Sequence, residues 1–309
     1  MPYEVVNVSA WHVMAIENAG ADPKLWLTPP SHSQDKDRSA WWLFKEAKHG
    51  VQPRADGQGE DAYRRTDDYA EKISCELAKL LGVPTADVQL AARDTDEGVI
   101  SHNVAPKDWE LQPGDTVLSE YPGYVSCDGK PKMKLRPGHS LANIKQLLSP
   151  MLGPLDTSVD KWPAFDVFAG YLVLDAWIAN ADRHAINWGV LQSANAERLA
   201  KSFDHGSALG SGLTDENRLR FLRAGIGSWC TKGVAQRFEE GRAVTLVDLA
   251  LAAVAGGSER ASEWVTRLAA LERQQWQSVL TEMSALSVVE RKFIDELLFE
   301  NQRRLCHDQ

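Results

Sequence analysis

Four cysteines in 309 residues, Cys75, Cys127, Cys230 and Cys306, lie far apart, and none falls in a C-x-x-C pair. That scarcity excludes a disulfide-built scaffold and a cysteine zinc site. Long apolar runs are missing as well: nothing approaches the ~18–20 residues that a bilayer-spanning helix needs. The opening MPYEVVNVSAWHV has no basic segment followed by a continuous apolar stretch. No secretory leader is expected, and the expected compartment is the cytoplasm. Excess positive charge is also lacking. A formal net charge of −9 repels phosphate backbones, so direct nucleic-acid binding and attachment to an acidic membrane surface are not expected. A local basic cleft for a nucleotide remains compatible with that balance. Repeats and low-complexity segments are absent.

Tryptophan, by contrast, is plentiful. The eleven tryptophans run from Trp11 to Trp276 and are read as core and inter-lobe packing. A composition of 43% hydrophobic and 25% charged residues is that of a globular protein. The length suits one large two-lobed domain or two ordinary ones.

The two halves differ in texture. Lys24-Leu25-Trp26-Leu27-Thr28 and Ala40-Trp41-Trp42-Leu43-Phe44-Lys45 read as antiparallel strands joined by a long polar connection. Residues 50–65, with Pro53, Gly57 and Gly59, read as a loop. The Gly57-Gln58-Gly59 pair follows no strand directly and is not a dinucleotide fingerprint. Asp68-Tyr69-Ala70-Glu71 resembles a capping box opening a helix, whose apolar face is Ile73, Leu77, Leu80 and Leu81 and whose stop signal is Gly82 with Pro84. Residues 88–91 and 99–101 return to the sheet. Five prolines make residues 103–139 irregular. Beyond them, helices are predicted at 141–148, at 165–179 with apolar residues on nearly every face, and through the tail at 245–255 and 259–306.

The chemistry concentrates in Asn180-Ala181-Asp182-Arg183-His184-Ala185-Ile186-Asn187-Trp188-Gly189. This loop joins the buried helix to a strand at Val190-Leu191. A return strand at 199–203 then carries Asp204 at its end. Phosphoryl transfer needs placement, metal ions bridging the phosphates and a carboxylate near the attacking hydroxyl. Mg2+ takes oxygen ligands, and one carboxylate with one amide serves it without overcharging the site. Asp182 can orient or deprotonate the hydroxyl while Asn187 and Asp204 hold metal, and the Asp-to-Asn offset of five is that of the protein-kinase catalytic loop. His184 and His205 have no third histidine or cysteine at suitable spacing, which excludes zinc.

These residues carry a resemblance. The loop Asn180 to Asn187, followed by Ser202-Phe203-Asp204-His205-Gly206-Ser207, resembles the catalytic and metal loops of the HipA-like serine/threonine kinases. Phe44-Lys45 and the helix from Tyr69 to Pro84 resemble that family's amino-terminal lobe, and the similarity starts near Lys24.

The resemblance implies an α+β, two-lobed protein-kinase-like fold with ATP and Mg2+ between the lobes. A small mixed lobe with an antiparallel sheet and one main helix would span residues 1–103. A larger, mostly helical lobe would span 104–309. Asp182 would be the catalytic base, His184 a residue near the phosphates, and Asn187 and Asp204 the metal ligands. Lys45 would hold the α- and β-phosphates with Glu71 as its helix partner and Glu76 as the alternative. Ile100, Ser101 and His102 would form the hinge whose backbone receives adenine.

The family carries an extra amino-terminal domain of roughly a hundred residues. Only a short stretch precedes the similarity here, so a stand-alone kinase core is expected. An antitoxin-like partner is implied by the family but is put in question by that difference. The connection at 28–39, taken as the phosphate-covering loop, has no glycine, unlike loops whose backbone N–H groups must approach a phosphate. On it, Ser31 and Ser33 are candidates for the autophosphorylation that silences family members, and Lys36 and Arg38 for side-chain contact with phosphate. The expected acceptor is a hydroxyl of a protein. Two other readings share the fold: a kinase of a small molecule, and a nucleotide-binding pseudokinase acting through a protein partner.

Overall fold

The two aromatic-rich runs pair as expected, inside a larger sheet than the sequence suggested. The computed structural model describes residues 2–17, 24–32, 37–54, 58–126, 136–239 and 241–307. Strands β1 (Val5–Asn7), β2 (His12–Glu17), β3 (Lys24–Thr28) and β4 (Trp42–Glu46) open the chain. A hairpin of β5 (His49–Pro53) and β6 (Glu60–Arg64) follows, then helix α1 (Asp67–Leu81) and strands β7 (Val88–Arg93) and β8 (Asp96–His102). The main sheet runs β1-β7-β8-β4-β3-β2, antiparallel throughout except for the β1–β7 pair.

Strand β2 was not predicted. Its residues are half-exposed on a sheet edge and a register shift between Val13 and Ala15 breaks the alternation, so the period-2 signal is weak. The β5–β6 hairpin was read as a loop because its residues are mostly exposed and polar.

Helix α1 begins one residue before the predicted box. Its N-cap is Thr66, whose side chain makes no capping hydrogen bond, and Asp68 instead pairs with Arg64 at 2.7 Å. The capping-box reading therefore fails, which frees Glu71 from that role. The stop signal holds: Gly82 sits at φ 81°, a left-handed cap that glycine takes without steric cost.

Strand β9 (Glu110–Pro113) and helices α2 (Gly114–Leu118) and α3 (Leu141–Leu148) lead into α4 (Ala164–Trp177), every residue of which is buried. Strands β10 (Gly189–Gln192) and β11 (Glu197–Leu199) form the hairpin after the predicted catalytic loop, with β9 as third strand. The return strand is shorter than predicted, so Asp204 stands five residues beyond it on a loop. Helices α5 (Asp215–Ala224), α6 (Gly227–Cys230), α7 (Leu246–Gly256), α8 (Glu263–Ala270), α9 (Arg273–Glu282) and α10 (Val288–Cys306) complete the chain.

One apolar core runs through the helical part and takes in Ala70, Ile73, Leu77 and Leu81 of α1. Trp177, Trp188, Trp264 and Trp276 are fully buried in it, as the tryptophan count suggested. A second core of Val8, Leu27, Phe44, Ala91 and Ile100 lies in the sheet. Helix α1 is therefore seated on the helical body while the sheet lies beyond it, and the residues α1 shows to the strands are held by both. Among the described residues, no helix is long and apolar enough to cross a membrane.

Candidate active site

Lys45 emerges from β4 level with the β2–β3 end of the sheet, since Glu17 pairs Lys24 and Leu25 pairs Phe44. Its Nζ lies 2.6 Å from Asp204 Oδ1 and 3.7 Å from Glu71 Oε2. One strand, one helix and one loop thus meet at a single ammonium. Burial works against the Lys45 charge, but Asp204 and Glu71 outweigh it and hold the pKa above its ordinary value. Burial also opposes the Asp204 charge, yet Lys45 and then Lys24 hold that carboxyl far below the usual range. Glu71 is less well compensated at its longer distance, and burial pushes its carboxyl up. The alternative partner, Glu76, is spoken for by Lys72 at 2.7 Å and Lys79 at 3.0 Å.

Asp204 has φ 62°, a left-handed conformation uncommon outside glycine. Gly206, two residues on, explains how the loop comes so near α1. A Cβ there would stand 3.1 Å from Asp67 O and 3.2 Å from Glu71 Oε2.

The loop after α4 is fixed from within. Arg183, fully buried, donates to both oxygens of Asp175 at 2.7 and 2.8 Å, to Asn187 O at 2.8 Å and to Ser202 Oγ at 3.0 Å. Asn180 donates to Asp175 and accepts from the Asp182 N–H. The Asn187 amide nitrogen donates to Asp182 O at 2.9 Å. Among the described residues no donor reaches its amide oxygen, which therefore remains available as a ligand.

The Asp204 loop is tied to this one through Ser202, through Leu209 N donating to Ile178 O, and through Ser207 Oγ, 3.4 Å from Asp182 Oδ2. His184 Nε2 stands 4.0 Å from the same Asp182 oxygen. Burial lowers its pKa, and both Asp182 and Asp204 lie close enough to oppose that shift. Asp182, His184, Asn187, Asp204, Lys45 and Glu71 are thus brought together.

Strand register separates other predicted residues from them. Leu27 pairs Trp42, which pairs His102, so the connection at 28–39 leaves the sheet at the His102 end. Lys45 lies three residues along β4 from there, about 10 Å at ~3.3 Å per residue. Exposed Ser31 therefore belongs to the His102 end, away from Lys45. Ser33 and Lys36 lie outside the described residues. Arg38 gives its carbonyl to Asn103 Nδ2 at 2.9 Å. The glycine-free connection thus leaves the sheet at the end away from Lys45. Residues 18–23, which connect Glu17 to Lys24 and include Gly20, lie outside the described residues.

The predicted hinge residues lie within the sheet. Ile100 pairs with Phe44 and Gln89, and Ser101 with Leu43 and Val88, so ladders on both sides take up their backbone. His102 donates its N–H to Asp87 O and packs its ring on Trp42 at 4.6 Å. Past it, the Asn103 N–H goes to Trp41 O and the Ala105 N–H to Asn103 Oδ1 at 3.1 Å. There a groove of about 580 Å3 opens between residues 37–39, 105–110 and 192–194.

The donor set fits a hard divalent cation. Asp204 supplies one carboxylate and Asn187 one amide oxygen, the sparse protein ligation Mg2+ takes when phosphates and water complete its shell. Among the described residues no group of three or more His, Cys, Asp or Glu converges as a metal site.

Two contacts had no signal in the sequence. Arg237, from the segment between α6 and α7, reaches Asp182 Oδ1 with Nε at 2.7 Å and Nη2 at 2.6 Å. His139 receives the Trp188 indole N–H at 3.0 Å.

No protein-family model matches the chain, and no curated protein sequence does. Solved structures do. The Helicobacter pylori proinflammatory kinase CtkA matches over 97% of this chain and 95% of its own, at 15% identity and a TM-score of 0.68. The fold is that of a kinase. The α+β class, with a sheet-rich amino-terminal part and a helical carboxy-terminal part, is the one expected. Lower likenesses, which carry no argument, are a chain of the Shewanella oneidensis MR-1 toxin–antitoxin complex of HipA, HipB and operator DNA, and the Golgi casein kinase with Mn/ADP bound. The first shares 13% identity over 96% of this chain and 66% of its own, with a TM-score of 0.48. The second shares 13% over 98% and 72%, with a TM-score of 0.43.

Proposed function

We propose that the chain is an ATP- and Mg2+-dependent phosphotransferase that phosphorylates a serine or threonine hydroxyl of a protein. The observation that carries the reading is the convergence of Lys45, Glu71 and Asp204 on one ammonium, next to a loop presenting Asp182 and Asn187. In kinases a strand lysine paired with a helix glutamate holds the nucleotide phosphates, and an aspartate and an asparagine hold the metal.

The lobes meet near residues 103–104. Adenine lies at the groove past Asn103 and the phosphates lie toward Lys45. The separation of about 10 Å along β4 suits the length of the nucleotide. Lys45 leaves Asp204 in part to bind the phosphates. Asn187 and Asp204 would hold Mg2+, which would supply positive charge against the phosphates. Asp182 orients the acceptor hydroxyl and takes its proton as the oxygen attacks the γ-phosphorus. The bond to the β–γ bridging oxygen breaks and ADP leaves. Positioning and charge placement supply the catalysis, as phosphoryl transfer requires. An antitoxin-like protein would be a partner of this catalytic core.

The test is transfer from γ-labelled ATP with Mg2+, read by mass spectrometry on the protein itself and on proteins of a cell extract, beside Asp182→Asn. The expected outcome is labelled serine or threonine, falling by about 10²–10⁴-fold in the variant, the usual range for a lost general base. Label on small molecules alone would establish the other acceptor class. Label unaffected by Asp182→Asn would refute the assignment of the base.

A further inference from the structure

The carboxylate proposed as base is not oriented by its own loop. Both Arg237 contacts fall on Asp182 Oδ1. The other oxygen, Oδ2, accepts a long hydrogen bond from Ser207 Oγ of the Asp204 loop at 3.4 Å and stands 4.0 Å from His184 Nε2. One oxygen is thus anchored and the other presented. An aspartate on an irregular loop has rotamer freedom to lose, and a guanidinium fork removes it.

Arg237 is itself held. Its segment is pinned by Ala235 N to Val244 O at 2.9 Å and by Glu239 N to His139 O at 2.9 Å. The carbonyl of Arg237 lies 2.6 Å from His139 Nδ1, and His139 Nε2 lies 3.0 Å from Trp188 Nε1. An indole N–H can only donate and a carbonyl can only accept, so one tautomer serves: neutral imidazole with its proton on Nδ1. The ring is buried and stacked on Phe238, with centroids 4.5 Å apart. Trp188 directly follows Asn187. A relay Trp188–His139–Arg237 therefore runs from the neighbour of one metal-ligand candidate to the proposed base.

Stability is not what the pair supplies. Both side chains are more than a quarter exposed, and ion pairs that wet contribute little to folding. A buried histidine with two directed hydrogen bonds is an expensive way to hold a surface arginine, unless the position of that arginine matters.

We propose that Arg237 is a positioning residue for the phosphoryl transfer: it anchors Asp182 by Oδ1 and leaves Oδ2 to receive the proton of the acceptor hydroxyl, with Trp188 and His139 fixing its place. This rests on the kinase reading above and extends it to a residue outside both sequence motifs. Among the described residues no contact joins Arg237 to Lys45, Glu71 or Asp204, so the KM for ATP separates this role from phosphate binding, although the Arg237 charge also acts on His184.

The experiment is steady-state transfer by the wild type, Arg237→Ala, Arg237→Lys, Asp182→Asn and the double variant Arg237→Ala/Asp182→Asn, with Mg-ATP binding measured on each. Arg237→Ala is expected to lower kcat by about 10–100-fold, the cost of a misplaced catalytic group, with the KM for ATP within about twofold. Arg237→Lys should recover part of that loss. In the Asp182→Asn background the Arg237→Ala step should cost nothing further, which a merely structural role would not produce. His139→Phe should reproduce a smaller fall in kcat while keeping the stacked ring. Additive losses in the double variant, or a raised KM for ATP at unchanged kcat, would overturn the assignment and make Arg237 a structural or a phosphate-binding residue. Wild-type protein that binds Mg-ATP yet transfers nothing, or binds none, would overturn the kinase reading itself, and the positioning role with it.

Discussion

At the scale of single residues, the site is a problem of charge compensation. Asp204 and Glu71 stand around one ammonium and each raises the cost of ionising the other. Glu71 is 2% exposed, so little water shares the load. Replacing Lys45 by Met would leave two carboxylates without their counter-charge. The expected loss is on the order of 3 kcal/mol in urea unfolding, the range for breaking a buried pair from one side, together with loss of Mg-ATP binding. Unchanged stability would mean that the carboxylates find other partners. Asp182, Asn187 and Asp204 could be singled out from residue type and spacing within short segments, and Lys45 from the family resemblance. Arg237 and His139 were not, because 55 residues separate Arg237 from Asp182 and 98 separate His139 from Arg237, and only the fold closes those gaps.

At the scale of elements, what was legible follows burial. Helix α4 could be read as fully buried because it lacks a polar face, and α1 because its apolar residues recur with the helical period. Strand β2 and the β5–β6 hairpin could not, because partly exposed edges need no alternation. Without β2 in the reading, the connection at 28–39 was expected beside Lys45, whereas it leaves the sheet at the His102 end.

The junction between α4 and the catalytic loop rests on Asp175 and Arg183, a fully buried pair at 2.7 Å. Asp175→Ala is expected to destabilise the fold by about 3–5 kcal/mol, because it strands a buried guanidinium, and chemical denaturation would measure it. The relay makes a pH prediction. Burial lowers the His139 pKa from 6.5 to about 4, so between those values the unfolded chain binds a proton that the folded chain refuses. Stability from this group is complete above about pH 6.5 and is lost as the pH falls toward 4, by about 3 kcal/mol in all at ~1.4 kcal/mol per pH unit. Thermal melts of wild type and His139→Phe across that range should show the wild-type advantage shrinking with acid. A constant difference would contradict the neutral tautomer.

At the scale of the whole molecule, the continuous core explains how residues far apart in the chain are held at one place. Helix α1 shares that core with the carboxy-terminal helices. Its start is anchored further by Thr66 N to Ser211 O at 3.1 Å and Thr66 Oγ1 to Glu290 at 2.7 Å, and Glu290 pairs with Arg218 at 2.6 Å. Glu71 is thus delivered to Lys45 by the helical body, and the sheet supplies only the lysine. The overall negative charge leaves this local arrangement untouched, because two carboxylates and one lysine invite a cation together with an anion.

The most direct measurement is a calorimetric titration of the protein with ATP, with and without Mg2+, repeated on Asp204→Asn and Asp182→Asn. The account predicts Mg2+-dependent binding that is lost in Asp204→Asn, whose side chain tolerates the same backbone conformation but gives up the charge. It predicts that binding survives in Asp182→Asn, which disables only the proton acceptor. Binding that ignores Mg2+, or that persists unchanged in Asp204→Asn, would contradict the assignment of this cleft as a metal-nucleotide site.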